Sequence, residues 1–287
     1  MTNDAVKTKR TGRLAPVSLE RLPWWVLIVL LLGLLIAYNV VTSTTYSDTL
    51  KFLWVGVKLT ILSTLVAYAV ATVIGLITGL GRVSTNPIFY TVSTLYVEVV
   101  RGIPILVQLI YWAFVVTPLL IDGVNGLGDF LTARVSTGFL FNLGQSFAAL
   151  SIQGIDMSVR GVLGLAVAYG AYEAEVFRAG IESIERGQME AARSLGMSYF
   201  QAMRYVILPQ AIRRVLPPLG NDFISMLKDS SLLSALAIRE LTQLGKLNRA
   251  RTFRTFETWN MVAFLYLVMT LCLSMGVKAM ERRLSIE

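Results

Sequence analysis

The chain has 287 residues, of which 55% are hydrophobic and only 15% charged, with a mean hydropathy of +0.63. A soluble domain carries roughly 25% charge, so most of this chain is built for lipid. Histidine is absent and Cys272 is the one cysteine, which excludes intrachain disulfides, Cys/His zinc sites and histidine-based triads or proton relays. The formal net charge is +8; its placement decides whether it serves nucleic acid, an acidic ligand or membrane topology.

Residues 1–23 form a basic tail with Lys7, Lys9, Arg10, Arg13 and Arg21. No aromatic residue is interleaved before Trp24, which argues against nucleic-acid binding and for a cytoplasmic flank that contacts the lipid bilayer. Trp24 to Val41 is uncharged and apolar. No small-residue cleavage site follows it, so 24–41 reads as an uncleaved first transmembrane helix. Leu59 to Gly81 is a second span, bounded by Lys58 and Arg82. Ile88 to Ile121 is long for one helix and short for two, and Gly102 with Pro104 predicts a single span with a kink or break. Residues 122–159 then form an extracytoplasmic segment. Gly161 to Gly180 and Val215 to Ile238 are spans that carry charge, which must face protein or a watery cavity. Trp259 to Val277 is the last, and Trp24, Trp25, Trp54 and Trp259 sit near predicted interfaces.

These spans predict an all-α polytopic membrane protein with about six transmembrane helices. Placing both termini in the cytoplasm puts 15 Lys and Arg residues inside and 8 outside, in keeping with the positive-inside rule. The exception is Arg239 to Arg254, five basic residues on the outer side.

The loop at 181–214 is strongly polar. Gly187 to Leu195 suits a short helix, with Gly196 where a helix C′ residue belongs. Ser198 and Gln201 read as a capping box that opens a second helix, running through Tyr199 to Leu208 and stopping at Pro209. Helices this short must pack on something, either their own spans or a partner protein.

The spacing here carries a resemblance. Glu190, Ala191 and Ala192, then three residues, Gly196, nine residues, and Val206 with Leu208-Pro209 resemble the EAA loop of ABC-importer permeases, with valine for isoleucine at 206. In that family the loop forms a coupling helix that inserts into a cleft on the ATP-binding subunit. Tyr96 to Gln108 (YVEVVRGIPILVQ), Ala171 to Arg178, Leu216 to Asn221, Met226 to Leu232 and Arg251 to Glu257 are similar to the polar amino-acid subfamily. The resemblance covers about 55–284, which reads as the permease core. The extra first span and the 122–159 segment depart from the family's compact form. It implies a type I ABC importer permease fold in the bacterial inner membrane. It also implies an ABC ATPase dimer, a second permease subunit that is the same or homologous, and an extracytoplasmic amino-acid-binding protein.

The chain has no phosphate loop of its own: Gly245-Lys246 has Glu240 where the motif needs glycine. ATP and Mg would thus sit on the partner, with no cofactor or metal bound by this chain and no catalytic residue in it. A membrane enzyme would need convergent nucleophiles or metal ligands, and a channel would have no reason to carry the EAA spacing.

Candidate pathway residues are the polar groups in spans. Glu98 and Arg101 are three apart and can pair, beside the Gly102–Pro104 break. Gln108 lies about two turns beyond Arg101 and could hold the polar ends of an amino acid. Glu175 and Arg178 are also three apart, a structural pair. Glu173 has no partner on its own helix; either Lys228 or Arg101 on another helix satisfies it, or it faces the pathway, where a cationic amino acid is its natural ligand. Asn221, Ser225 and Lys228 recur at i, i+4 and i+7, and Asp222 with Asp229 form a second stripe. Both stripes are either interhelical glue or a translocation wall, and the resemblance favours the wall for Lys228 and Asp229.

Overall fold

The computed structural model describes residues 24–284. The 1–23 tail and the Trp25 side chain lie outside the described residues. The described chain is helical, without strands.

Helix α1 spans Trp24–Thr42 and α2 spans Thr44–Arg82. At about 1.5 Å per residue α2 is about 58 Å long, well beyond a hydrocarbon core of about 30 Å. It begins fifteen residues before the expected Leu59, because Thr44 to Lys58 continues the helix as a half-polar extension. Helix α3 (Pro87–Gly102) ends at the expected break, where Ile103 (φ −109°, ψ 135°) and Pro104 are extended. The chain resumes as α4 (Ile105–Tyr111), a π-turn at Trp112–Val116, and α5 (Thr117–Arg134). The 122–159 segment is therefore mostly helical. Helix α5 folds back onto α6 (Phe139–Ala148) as a tight hairpin. A Cβ on Gly128 would meet the Ala148 amide at 2.4 Å, which is why this approach takes glycine.

Helix α7 (Met157–Glu182) packs along α2 at the centre of the bundle. On α2 the buried face is Thr60, Thr64, Ala67, Ala71, Gly75 and Gly79, one residue every three or four. Small residues at that spacing let two membrane helices come close enough to gain dispersion contacts without a hydrophobic drive. A Cβ on Gly75 would lie 2.7 Å from Glu173 Cβ, and one on Gly79 would lie 2.7 Å from Phe177 Cβ.

Helices α8 (Arg186–Ser194) and α9 (Tyr199–Ala202) follow, then a π-turn at Met203–Ile207 and α10 (Leu208–Asp229). The second helix does not stop at Pro209. The π-turn just before it widens the backbone where the ring would crowd the preceding turn, and the same device precedes Pro118 in α5. The span expected to reach Ile238 leaves α-geometry at Asp229. A 3₁₀ stretch, Ser230–Leu236, and a left-handed Ala237 (φ 57°) lead into α11 (Leu241–Thr252) and α12 (Thr255–Leu284).

By length and composition Thr44–Arg82, Ile105–Arg134 and Thr255–Arg283 are apolar enough to cross a membrane, and Val26–Thr42 is a shorter apolar helix. Helices α7 and α10 carry the charges that lower their apolarity; on α7 Glu173 is fully buried, whereas Lys228 on α10 is exposed. The largest buried cluster joins α2, α4, α7, α10 and the 3₁₀ stretch through Ala71, Leu109, Leu165, Tyr169, Met226 and Leu233. Glu240 anchors the far end. Fully buried, it accepts from the Thr242 and Gln243 amides at 2.8 and 2.7 Å and from the Tyr266 hydroxyl at 2.9 Å.

Candidate functional site

The α7–α10 loop is organised by local bonds. Gly196 has φ +83° and follows Leu195 at the end of α8. Its amide donates to Arg193 O at 3.0 Å, and the Met197 amide donates to Ala192 O at 3.2 Å. This pair of bonds around a left-handed residue is the Schellman closure. A Cβ at Gly196 would touch nothing within 4 Å, so the demand for glycine is purely one of backbone conformation. Ser198 and Gln201 form the reciprocal capping box, with the Ser198 amide giving to Gln201 Oε1 at 2.8 Å and the Gln201 amide giving to Ser198 Oγ at 3.3 Å.

The loop has two faces. The inner one packs on its own protein: Ile184, Ile207 and Ala211 form a buried cluster with Met189 and Met203 against it. Ala192 is 4% exposed, and Arg214 donates to Ser183 O. On the outer face Glu190, Ala191 and Gly196 are exposed, as are Leu195 (81%) and Phe200 (82%). So the helix is seated on its own spans and still presents a free apolar edge.

The span charges sort into a network and a cluster. At the end of α2, Arg82 donates to Glu175 Oε2 at 2.7 Å and reaches Glu98 at 3.5 Å. Arg178 pairs with both Glu175 and Glu182. The Glu175–Arg178 pair forms as expected; the Glu98–Arg101 pair does not. Glu98 turns to Arg82 on the neighbouring helix, and Arg101 instead lies 5.5 Å above the Tyr172 ring, an attraction of cation and ring face. Gln108 is committed to the break in its own helix, its Nε2 donating to Val100 O at 2.6 Å and Ile103 O at 2.7 Å. These carbonyls lose their helical donors where Pro104 interrupts the chain.

Glu173 is the outlier. It is completely buried, and neither carboxylate oxygen has a hydrogen-bond partner. Lys228 and Arg101, the partners considered from sequence, do not reach it. Thr72 lies beside it, with its hydroxyl given to Tyr68 O at 2.9 Å. Asp222 is within electrostatic reach of Glu173, and Arg101 within reach of Asp222. Asp222 also has a buried oxygen, Oδ2, without a partner. Tyrosines frame this region: Tyr68 OH donates to Leu219 O at 2.8 Å, Tyr96 OH to Val167 O at 2.6 Å and Tyr169 OH to Asp229 Oδ2 at 2.7 Å. A groove of about 470 Å³ between α2, α10 and α12 runs to Tyr68 and Thr72, next to Glu173.

On α10, Asn221 and Lys228 are exposed and Ser225 is half-buried, while Asp229 is held by Tyr169. The tyrosines and Arg82 carry no signal in sequence, since each contact joins residues far apart in the chain. Among the described residues no group of three or more His, Cys, Asp or Glu side chains could hold a metal ion.

Comparison with known proteins fits this architecture. Residues 71–286 match the family described as "binding-protein-dependent transport system inner membrane component". The glutamine transport system permease protein GlnP of Escherichia coli K12 is 36% identical over 80% of this chain and 92% of its own length. The probable glutamine ABC transporter permease protein GlnM of Bacillus subtilis 168 is 35% identical over 78% and 89%. A crystal structure of an amino acid ABC transporter with histidines superposes with a TM-score of 0.66 at 35% identity, covering 83% of this chain and 97% of that one. A chain with this helical arrangement, this loop and these relatives belongs to the family of binding-protein-dependent transport system inner membrane components, the permeases of ABC importers.

Proposed function

We propose that this chain is the membrane-spanning permease subunit of an ATP-driven importer of polar amino acids, in the bacterial cytoplasmic membrane with both termini inside. The observation that carries the coupling role is the two-faced loop. A helix of nine residues seated on Ile184, Ile207 and Ala211 ends at its exposed cap Leu195, and the helix that follows holds Phe200 in solvent. An exposed apolar edge suits a protein-binding site, and the EAA spacing supports the ABC ATPase as that protein. Glu190, Ala191, Ala192 and Gly196 are the coupling residues. ATP and Mg are handled by the ATPase dimer, so this chain itself is not an enzyme.

The polar stripe Asn221, Ser225 and Lys228 supports a second permease subunit, identical or homologous. A stripe exposed on one protomer at membrane depth needs protein or water against it. Between the two subunits lies the path, with Glu98, Arg101, Gln108, Glu173, Asn221, Ser225, Lys228 and Asp229 along it. Glu173 is buried with neither carboxyl oxygen hydrogen-bonded, and a substrate ammonium or guanidinium would complete it. Cargo arrives from an extracytoplasmic amino-acid-binding protein. Closure of the ATPase dimer pushes α8, and α7 and α10 rock between inward and outward openings. Near-complete switching between the two states takes about 5.5 kcal/mol of differential binding.

The test is reconstitution with the partner ATPase and receptor. ATP hydrolysis rises when receptor and amino acid are present, and Glu173→Gln lowers uptake of arginine and lysine about tenfold, the effect of one lost charged contact. Passive conductance without ATP refutes the transport reading; unchanged uptake of both amino acids in Glu173→Gln refutes the role of that carboxylate.

A further inference from the structure

The basic stretch at 239–254 is used neither by the loop nor by the buried cluster. Three of its side chains are spent within the protein. Lys246 donates to Ser234 Oγ at 2.9 Å, Arg251 lies 4.7 Å above the Phe52 ring, and Arg254 donates to Thr45. Arg239 differs. Its backbone is pinned between buried Ile238 (6% exposed) and Glu240 (0%), just after the left-handed turn at Ala237. Its guanidinium is exposed and, among the described residues, enters no hydrogen bond or ion pair.

Below Arg239 a groove of about 600 Å³ opens between α2 and α7. Leu59, Leu62, Val66 and Val70 form one wall, and Met157 and Val162 belong to the other. Leu59 lies about 35 Å along α2 from Arg82, so the groove mouth sits at the membrane boundary opposite the α7–α10 loop. From Leu59 to Val70 the wall descends about 16 Å, close to one leaflet of a core about 30 Å thick. Its polar side chains are Arg239, Asp156 and Ser158 at the mouth and Ser63 one turn further in. Asp156 is the N-cap of α7, accepting from the Ser158 amide at 2.7 Å. The Ser158 hydroxyl and amide hold its carboxyl below its ordinary value, so it is ionised at neutral pH. A second apolar groove shares Leu59 and Arg239 and reaches Lys51, leaving Arg239 on the crest between two apolar surfaces.

We propose that this groove seats one phospholipid with a primary-amine headgroup, its acyl chain between α2 and α7, its phosphate on Arg239 and its ammonium on Asp156. The charge pattern selects among lipids. A purely anionic headgroup would set a second negative charge against Asp156, and a choline headgroup has no N–H to give. A free amino acid matches the two charges but leaves the groove empty.

Native mass spectrometry of the full chain, released from detergent and titrated with phosphatidylethanolamine, phosphatidylcholine and phosphatidylglycerol of equal acyl length, tests this. Phosphatidylethanolamine binds best. Arg239→Ala weakens it about tenfold, the loss expected for a charge-assisted hydrogen bond. Asp156→Asn keeps the helix cap, since asparagine caps as well as aspartate, but abolishes the preference for ethanolamine over choline. Val66→Trp fills the groove and weakens all three lipids. Arg239→Gln replaces Arg239→Ala if the latter is not monodisperse on size exclusion. Equal binding of the three lipids, unchanged binding in the Arg239 and Val66 variants, or displacement of the lipid by glutamine or arginine overturns the proposal.

Discussion

The α2–α7 interface and the α8–α9 loop both depend on glycine, for opposite reasons. At Gly75 the backbone conformation is ordinary and the space is full; at Gly196 the space is empty and the conformation is left-handed. The first is a demand of packing between helices that have no hydrophobic drive to associate in lipid. The second is a demand of one residue's torsion angles. One region therefore holds the protein together and the other holds a surface in place, and substitutions should separate the two properties.

Gly75→Leu should have the largest effect. Even its Cβ would lie 2.7 Å from Glu173 Cβ and 3.1 Å from the Ala174 amide, and neither can yield without moving α7. Overpacking of this kind costs about 1–3 kcal/mol, occasionally more, and here it also parts the helices that bury Glu173. The variant should lose monodispersity on size exclusion and melt well below the parent. A full-length leucine variant with the parent's thermal unfolding would show that α2 and α7 are less closely packed than described.

Gly196→Val should leave the bundle intact. A non-glycine residue in the left-handed region costs about 1–2 kcal/mol, and valine's branched side chain fits it poorly. The cost falls on the turn after α8, whose neighbours are solvent. Membrane insertion and melting should stay near the parent's, while ATP-coupled uptake falls about tenfold. Uptake equal to the parent's at equal expression would remove the loop from the coupling role. Ser198→Ala sharpens the same contrast more gently. It removes half of the capping box and costs about 1 kcal/mol at a helix N-terminus, so it should lower uptake severalfold and melting hardly at all.

What the sequence revealed divides along the same line. The loop was legible because its signals are local. Gly196, Ser198 and Gln201 state their roles within six residues, and α8 was placed to within a residue of its observed bounds. The break at Pro104 was legible for the same reason. Pro209 misled because proline was read by its local cost alone, whereas the π-turn at Met203–Ile207 relieves that cost and lets the chain continue into α10. Partners across helices were beyond reach. Spacing offered Arg101 to Glu98, but the fold brings Arg82 from sixteen residues earlier. Glu173 was flagged by lacking a local partner, yet only the packing of α7 against Gly75 shows it fully enclosed. Tyr169, whose hydroxyl donates to Asp229, gives no sign in sequence of doing so.

The smallest expected effect lies in the charge network at the end of α2, where two contacts of one arginine can be compared. Arg82 reaches Glu175 at 2.7 Å, with the Glu175 side chain 28% exposed, and Glu98 at 3.5 Å, with the Glu98 side chain 68% exposed. An exposed pair at the longer distance contributes about 0–1 kcal/mol, since water and salt screen it and two side chains must be held still. Glu98→Gln should therefore shift melting by no more than about 2 °C and leave insertion unchanged. Glu175→Gln removes the negative charge shared by Arg82 and Arg178 and leaves Arg82, 12% exposed, with the distant Glu98 as its remaining carboxylate, so its shift should be clearly larger. Raising the salt concentration should narrow the small difference between the parent and Glu98→Gln and leave the larger one mostly intact, because screening acts on exposed charges first. Equal shifts in the two variants would mean that Arg82 is held by its packing among α2, α3 and α7 rather than by either carboxylate.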